Sequence, residues 1–167
     1  MNSTEQHFDA IFCQSFGPRK NEPGMSNFYL AACILRVYNF YKNAHDCHVP
    51  LIIQKDCADA FTEDIKIDKI ISQHRNPNTY LDSYEVSRQC AEFCTQKGFK
   101  TVLVFAHPDH IWRVMKTLKK LGLNAAAADT SGTPYDPKSI QPWTRSRLRF
   151  LIREKAVIIW YFLKGKI

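Results

Sequence analysis

Apolar residues change their spacing repeatedly along the 167-residue chain, and each change marks an element. Residues 8–16 (FDAIFCQSF) form a short apolar run closed by Gly17-Pro18, which reads as a strand followed by a loop. Over residues 27–44, apolar side chains at 28, 31, 34/35, 38 and 41 keep helical spacing, with Ser26 placed as the N-cap. Residues 49–53 (VPLII) read as a buried strand and residues 69–72 as a third, short one. Thr79 or Asp82 is placed to cap a helix that reaches about Lys97 and closes at Gly98. Residues 100–105 (KTVLVF) are a continuous run of the kind that a parallel sheet buries on both faces. Asp109 is placed to cap the next helix, which stops at Leu121-Gly122. Residues 124–129 (NAAAAD) are ambiguous: alanine favours helix by propensity, whereas their position after a helix and a glycine favours a narrow strand. A loop over residues 130–142 leads to a last helix from about Thr144 to Leu163.

Strands alternating with helices predict an α/β fold. It is a three-layer, Rossmann-like arrangement with a mostly parallel sheet of about five strands and a C-terminal helix. No internal repeat or domain-breaking linker is visible, so residues 1–167 read as a single domain. Such sheets take ligands at the carboxyl ends of their strands. Those ends are expected at residues 14–20, 54–58, 74–82, 106–110 and 129–135.

Composition narrows the class without changing the picture. The chain is 45% apolar and 23% charged with 13% aromatic residues, which excludes disordered and low-complexity readings. The six cysteines, at 13, 33, 47, 57, 90 and 94, are scattered and suggest no secreted disulfide framework. The polar start MNSTEQHFDA does not resemble a signal peptide, and the longest apolar run, residues 156–163, is far short of the ~20 residues a spanning helix needs. A reduced, cytoplasmic setting is expected.

Charge does change the picture. The net charge is +7. Residues 138–167 hold Lys138, Arg145, Arg147, Arg149, Arg153, Lys155, Lys164 and Lys166 against Glu154 alone, so the whole excess lies there and the rest of the chain is balanced. Arg145, Arg149 and Arg153, spaced by four, predict one basic stripe beside an apolar side built from Leu148, Leu151, Ile152, Ile159 and Leu163. Three readings of this helix compete: it packs on the sheet; it lies on a membrane surface with Trp143, Trp160 and Tyr161 at the headgroups; or it contacts nucleic acid. The last would need basic and aromatic patches elsewhere, which the balanced remainder does not offer.

The richest candidate chemistry is Ala106-His-Pro-Asp-His110-Ile-Trp-Arg113, directly after the best strand and opening a helix. Free N–H groups and the helix dipole favour an anion there. Arg113 and His110, three apart, would grip a phosphate or carboxylate, with His107 beside them. Their bland alternative is a surface ion pair and a polar cap. His107, Asp109 and His110 lack a defined further ligand, with Cys47-His48 expected at the opposite end of the sheet, so no metal is expected. Thr79, Asp82 and Glu85 open a helix at the ligand end, where caps also hold ligand hydroxyls; Asp82, Glu85 and His110 are the acid–base candidates. Arg19 is a candidate anion clamp from the first loop. Cys13 and Arg19 also have the spacing of a cysteine-phosphatase loop. Pro18 removes one backbone donor from such a loop, and the helix starts too late to aim its dipole there.

Three segments together resemble the SanA/YdcF/ElyC-like domain family of bacterial α/β proteins. They are Thr79-Tyr-Leu-Asp-Ser83 opening a helix, Val102 to Arg113 with its His-x-x-Arg, and Arg153-Glu154 in the C-terminal helix. Asn27-Phe-Tyr with Tyr38-Asn39 faintly resembles the family's first helix. The chain departs from the pattern at Gln54-Lys55-Asp56, where the family usually shows Ser-Gly, and in the first loop, which is poorer in glycine. The resemblance implies a Rossmann-like fold and a small-molecule site around the His-x-x-Arg loop. It also implies an association with the cell envelope and a nucleotide-like ligand such as S-adenosylmethionine. Membrane-attached members carry an N-terminal anchor, which these residues do not include. The expected function is therefore binding of a small anionic or nucleotide-like molecule, with hydrolase or transferase chemistry as its enzymatic form. The alternative is a non-catalytic membrane-peripheral or interaction module using the basic helix.

Overall fold

A computed structural model describes residues 7–45 and 48–167. Five strands, β1 (Ala10–Cys13), β2 (Leu51–Gln54), β3 (Lys69–Ile71), β4 (Thr101–Phe105) and β5 (Asn124–Ala127), form one sheet in the order β3-β2-β1-β4-β5. All four pairings are parallel, with Phe12 of β1 opposite Ile52 on one side and Val104 on the other. Parallel neighbours need a crossover. The helices supply it: α1 (Met25–His45) joins β1 to β2, the short α2 (Lys55–Ala58) follows β2, α3 (Ser83–Lys97) joins β3 to β4, and α4 (Pro108–Lys120) joins β4 to β5.

Strand residues alternate between two cores because successive side chains point to opposite faces. Ile11, Cys13, Leu51, Ile53, Leu103 and Phe105 pack against Leu30, Ala31 and Ile34 of α1. Ala10, Phe12, Ile52, Val102 and Val104 pack against Val86, Cys90 and Cys94 of α3 and Val114 and Leu118 of α4. The result is three layers. Phe12 is fully buried at the centre of the sheet, where truncation to alanine costs about 3–5 kcal/mol. The alanines of residues 124–129 resolve as edge strand β5, with Ala125 and Ala126 packed on opposite cores; tertiary packing overrides their helical propensity.

Three helix starts differ from expectation, each for a physical reason. Asp82 does cap α3, its Oδ1 accepting the Glu85 N–H at 2.8 Å. Ser26 does not cap α1. That helix begins at Met25, whose N–H donates to Asp136 Oδ2 at 2.9 Å, while Ser26 Oγ donates to Pro134 O. Asp109 does not cap α4 either. Pro108, which has no N–H to satisfy, takes the first helical position, and His107 becomes the cap, its Nδ1 accepting from the Asp109 N–H. The last helix is interrupted as well. A 3₁₀ turn over Pro142–Arg145 ends at Ser146 in extended conformation before α5 (Arg147–Leu163) starts. Arg145 is thereby removed from the expected stripe and donates to Ser139 O at 2.7 Å.

From β1 the chain builds outward to β2 and β3, then returns to place β4 and β5 on the other side. The carboxyl ends of β1 and β4 therefore form the switch point of the sheet, where a crevice must open.

Candidate functional site

The loops after β1 and β4 bring Gln14 and His110 together at that switch point. Gln14 Nε2 donates to Ser83 O at 2.9 Å and Ser87 Oγ at 2.7 Å, so its oxygen faces His110 Nε2 at 3.0 Å. Nε2 must then carry the ring proton. Nδ1 lies 3.2 Å from Arg113 Nη2 and 3.3 Å from Glu154 Oε1. In a neutral ring it accepts from the arginine. Burial, then the Arg113 charge, pushes the His110 pKa down against the pull of Glu154, which keeps the ring neutral.

Arg113 is 3% exposed and fully engaged. Its Nε and Nη2 meet Glu154 Oε1 and Oε2 at 2.7 and 2.8 Å, a bidentate fork. Its Nη1 donates to Ser83 Oγ, and its Cζ lies 4.8 Å from the centre of the Tyr161 ring. Burial alone would raise the Glu154 carboxyl. The two hydrogen bonds and the charge of Arg113 outweigh it and hold that carboxyl below its ordinary range. Arg113 and Glu154 thus form a closed, charge-balanced unit that joins α4 to α5 across the crevice.

Above this floor lies a cavity of about 180 Å³. Its walls include Ser15 and Phe16 after β1, Gln54 after β2, Tyr80 and Asp82 before α3, Trp143, and Arg153 and Trp160 of α5. Arg153 is the group that sequence reasoning under-weighted. It stacks 4.3 Å above the Trp143 ring and has no hydrogen bond or ion pair among the described residues, whereas its neighbour Glu154 points inward to Arg113. One helical step separates a spent charge from a free one.

Of the expected site residues, His110, Arg113 and Asp82 reach the cavity, and Arg19, Thr79, His107 and Glu85 do not line it. Arg19 forks onto Asp136 at 2.7 and 3.1 Å and also meets Glu22, fixing the first loop to the 130–142 loop. Thr79 is exposed. His107 is 1% exposed and stacks 4.0 Å from Phe16 with its Nε2 unpartnered; burial brings its pKa down to about 4. Glu85 is buried on the far side of α3 among Arg75, Arg88 and Gln89, which hold its carboxyl low despite burial. Asp82 divides its oxygens between the α3 cap and Lys166, 3.4 Å away.

The phosphatase geometry is not assembled. Cys13 is inside β1 with its sulfur 3.4 Å from Cys57 Sγ, and burial pushes its thiol up, the reverse of what a nucleophile needs. Cys47 lies outside the described residues; His48 precedes β2 and bonds to Asp68 and Tyr38. Among the described residues no three His, Cys, Asp or Glu side chains are placed to share a metal, and no helix is long and apolar enough to cross a membrane.

Comparison of the chain with known protein families, with characterised proteins and with solved structures finds no match.

Proposed function

We propose that the chain is a small-molecule-binding α/β protein that holds a compact anion in the switch-point cavity, with Arg153 as the anion contact. The observation that carries this reading is the unpaired Arg153 guanidinium, held in place by Trp143 on the wall of a cavity that also presents Gln54, Tyr80 and Gln141. A fixed cation beside flat aromatic walls suits a charged group joined to a planar one, the pattern of a nucleotide-like ligand. The cavity is smaller than the roughly 300–1,000 Å³ that encloses a drug-sized molecule, so a larger ligand leaves part of itself in solvent. S-adenosylmethionine, and a hydrolase or transferase role in cell-envelope metabolism, rest on the resemblance to the SanA/YdcF/ElyC-like family alone.

Binding is better supported than catalysis. Both nitrogens of His110 are engaged, one with Gln14 and the other between Arg113 and Glu154. Asp82 is tied to the α3 cap and to Lys166. Ser15 Oγ accepts from the Cys57 N–H at 3.0 Å. A group-transfer step would require one of these to leave its partner.

Thermal denaturation with inorganic pyrophosphate, adenosine monophosphate or S-adenosylmethionine tests the proposal. At a hundredfold excess over Kd, binding adds about 2.7 kcal/mol, or roughly 5–10 °C for a chain of this size. Arg153→Ala is expected to abolish the shift. A shift of equal size in Arg153→Ala, or no shift with any of the three probes, overturns it.

A further inference from the structure

We propose that the outward face of α5 docks the protein onto an anionic lipid bilayer. The helix is amphipathic in the reverse sense to one that packs on a core. Phe150, Glu154 and Tyr161 are buried against the fold. On the opposite side Leu148, Ile152, Ile159 and Leu163 are 71, 66, 61 and 75% exposed. At 100° per residue these four fall within a stripe about 60° wide, and it runs about 22 Å along the helix. Phe162, 73% exposed, borders the stripe on one side.

The rim of the stripe decides what covers it. Lys155 and Arg149 flank it on its two sides; both are exposed and carry no ion pair among the described residues. The only acid on α5, Glu154, is spent on Arg113. A second copy of the chain would therefore set an all-basic rim against another all-basic rim, a like-charge juxtaposition that opposes association. An apolar stripe flanked by Lys and Arg, with aromatic residues at its edge, matches a helix lying in the plane of a negatively charged membrane surface. Lys155 lies close beside the stripe, where its long stem lets the ammonium reach the headgroups.

The stripe is also presented rigidly. The Arg113–Glu154 fork holds the middle of α5. Beyond its end the chain turns back, and Lys166 Nζ sits 4.3, 4.5 and 5.0 Å from the centres of the Tyr84, Trp160 and Tyr161 rings. Ile152 thus faces outward while Arg153 faces the cavity, so docking would leave the ligand cavity on the other side of the same helix.

Flotation of the full chain with vesicles tests the inference. Mixed phosphatidylcholine–phosphatidylserine vesicles are expected to carry the protein at low salt and release it at high salt. Phosphatidylcholine alone is expected to carry at least about tenfold less. Ile152→Gln/Ile159→Gln and, separately, Arg149→Gln/Lys155→Gln should each lower partitioning by about tenfold or more while leaving the circular dichroism spectrum and Tm unchanged, since all four side chains are exposed. Any of four results overturns the proposal: no flotation of the wild type with the mixed vesicles, equal flotation with phosphatidylcholine alone, undiminished flotation of either variant, or a wild-type dimer that Ile152→Gln/Ile159→Gln converts to monomer.

Discussion

Glu154→Gln removes one charge from the closed floor of the cavity and keeps its shape. Both Glu154 and Arg113 are 3% exposed, so the guanidinium would remain buried with Ser83, His110 and the Tyr161 ring but without a counter-charge. Breaking a buried pair in this way costs about 3–5 kcal/mol, against about 0–1 kcal/mol for a surface pair. The Glu154 carboxyl gives the sign of the pH dependence. Arg113 holds it below its ordinary 4.5, which agrees in sign with a charged form that stabilises the fold. The folded value is the depressed one, so this stability is present above about 4.5 and is lost as pH falls from there toward 2. Urea and thermal denaturation at neutral pH should show Glu154→Gln less stable by about 3 kcal/mol, or roughly 6–12 °C in Tm. The variant should also show a shallower loss of stability between those two pH values than the wild type. Replacing both partners, Arg113→Met with Glu154→Leu, should recover most of the deficit because no orphaned charge remains. A loss below about 1 kcal/mol in Glu154→Gln would refute the buried-pair reading.

Further predictions follow from neighbouring groups. His107 sits at about 4 instead of 6.5, so the folded protein resists protonation that the unfolded chain accepts. Stability should therefore fall by an amount on the order of 3 kcal/mol as pH drops from 6.5 toward 4. His107→Phe, which keeps the stacking on Phe16, should make this part of the urea midpoint profile shallower, and an unchanged slope would contradict the assignment. Arg19→Ala leaves Asp136, whose exposure is 0%, without its cation. It should lower stability by about 1–3 kcal/mol yet leave ligand-induced stabilisation intact; loss of the ligand response would bring Arg19 back into the site. Cys13 should react with a thiol reagent only as the protein unfolds, since its sulfur lies against Cys57 in the core, and labelling under native conditions at the rate of an exposed thiol would contradict that placement.

The sheet was legible because its signals are local. The β-branched run of β4, the Asp82 cap and Gly98 of α3, and the spacing of α1 each follow from neighbouring residues. The helix starts differ for two reasons, a distant residue in one case and an adjacent proline in the other. Asp136, from the 130–142 loop, caps α1 in place of Ser26, and Pro108 moved the α4 cap from Asp109 to His107. For the site, the strand ends could be located because topology alone puts the crevice there. The identity of its free cation could not. The sequence points to Arg113 and places Arg153 only in a basic stripe; the rotational phase of α5, set after the break at Ser146, turns Glu154 onto Arg113 across 41 positions and leaves Arg153 at the cavity. The same phase turns the apolar side of α5 outward, where the spacing of its basic and apolar residues had left packing, a membrane surface and nucleic acid as competing readings.

Native mass spectrometry of the freshly purified full chain is the most direct test of the central claim that Arg153, not Arg113, meets an anionic ligand in the cavity. The account predicts a co-purifying small anion at one per chain in the wild type and in Arg19→Ala, and its absence from a folded Arg153→Ala. Retention of the same molecule by Arg153→Ala at undiminished occupancy would contradict it.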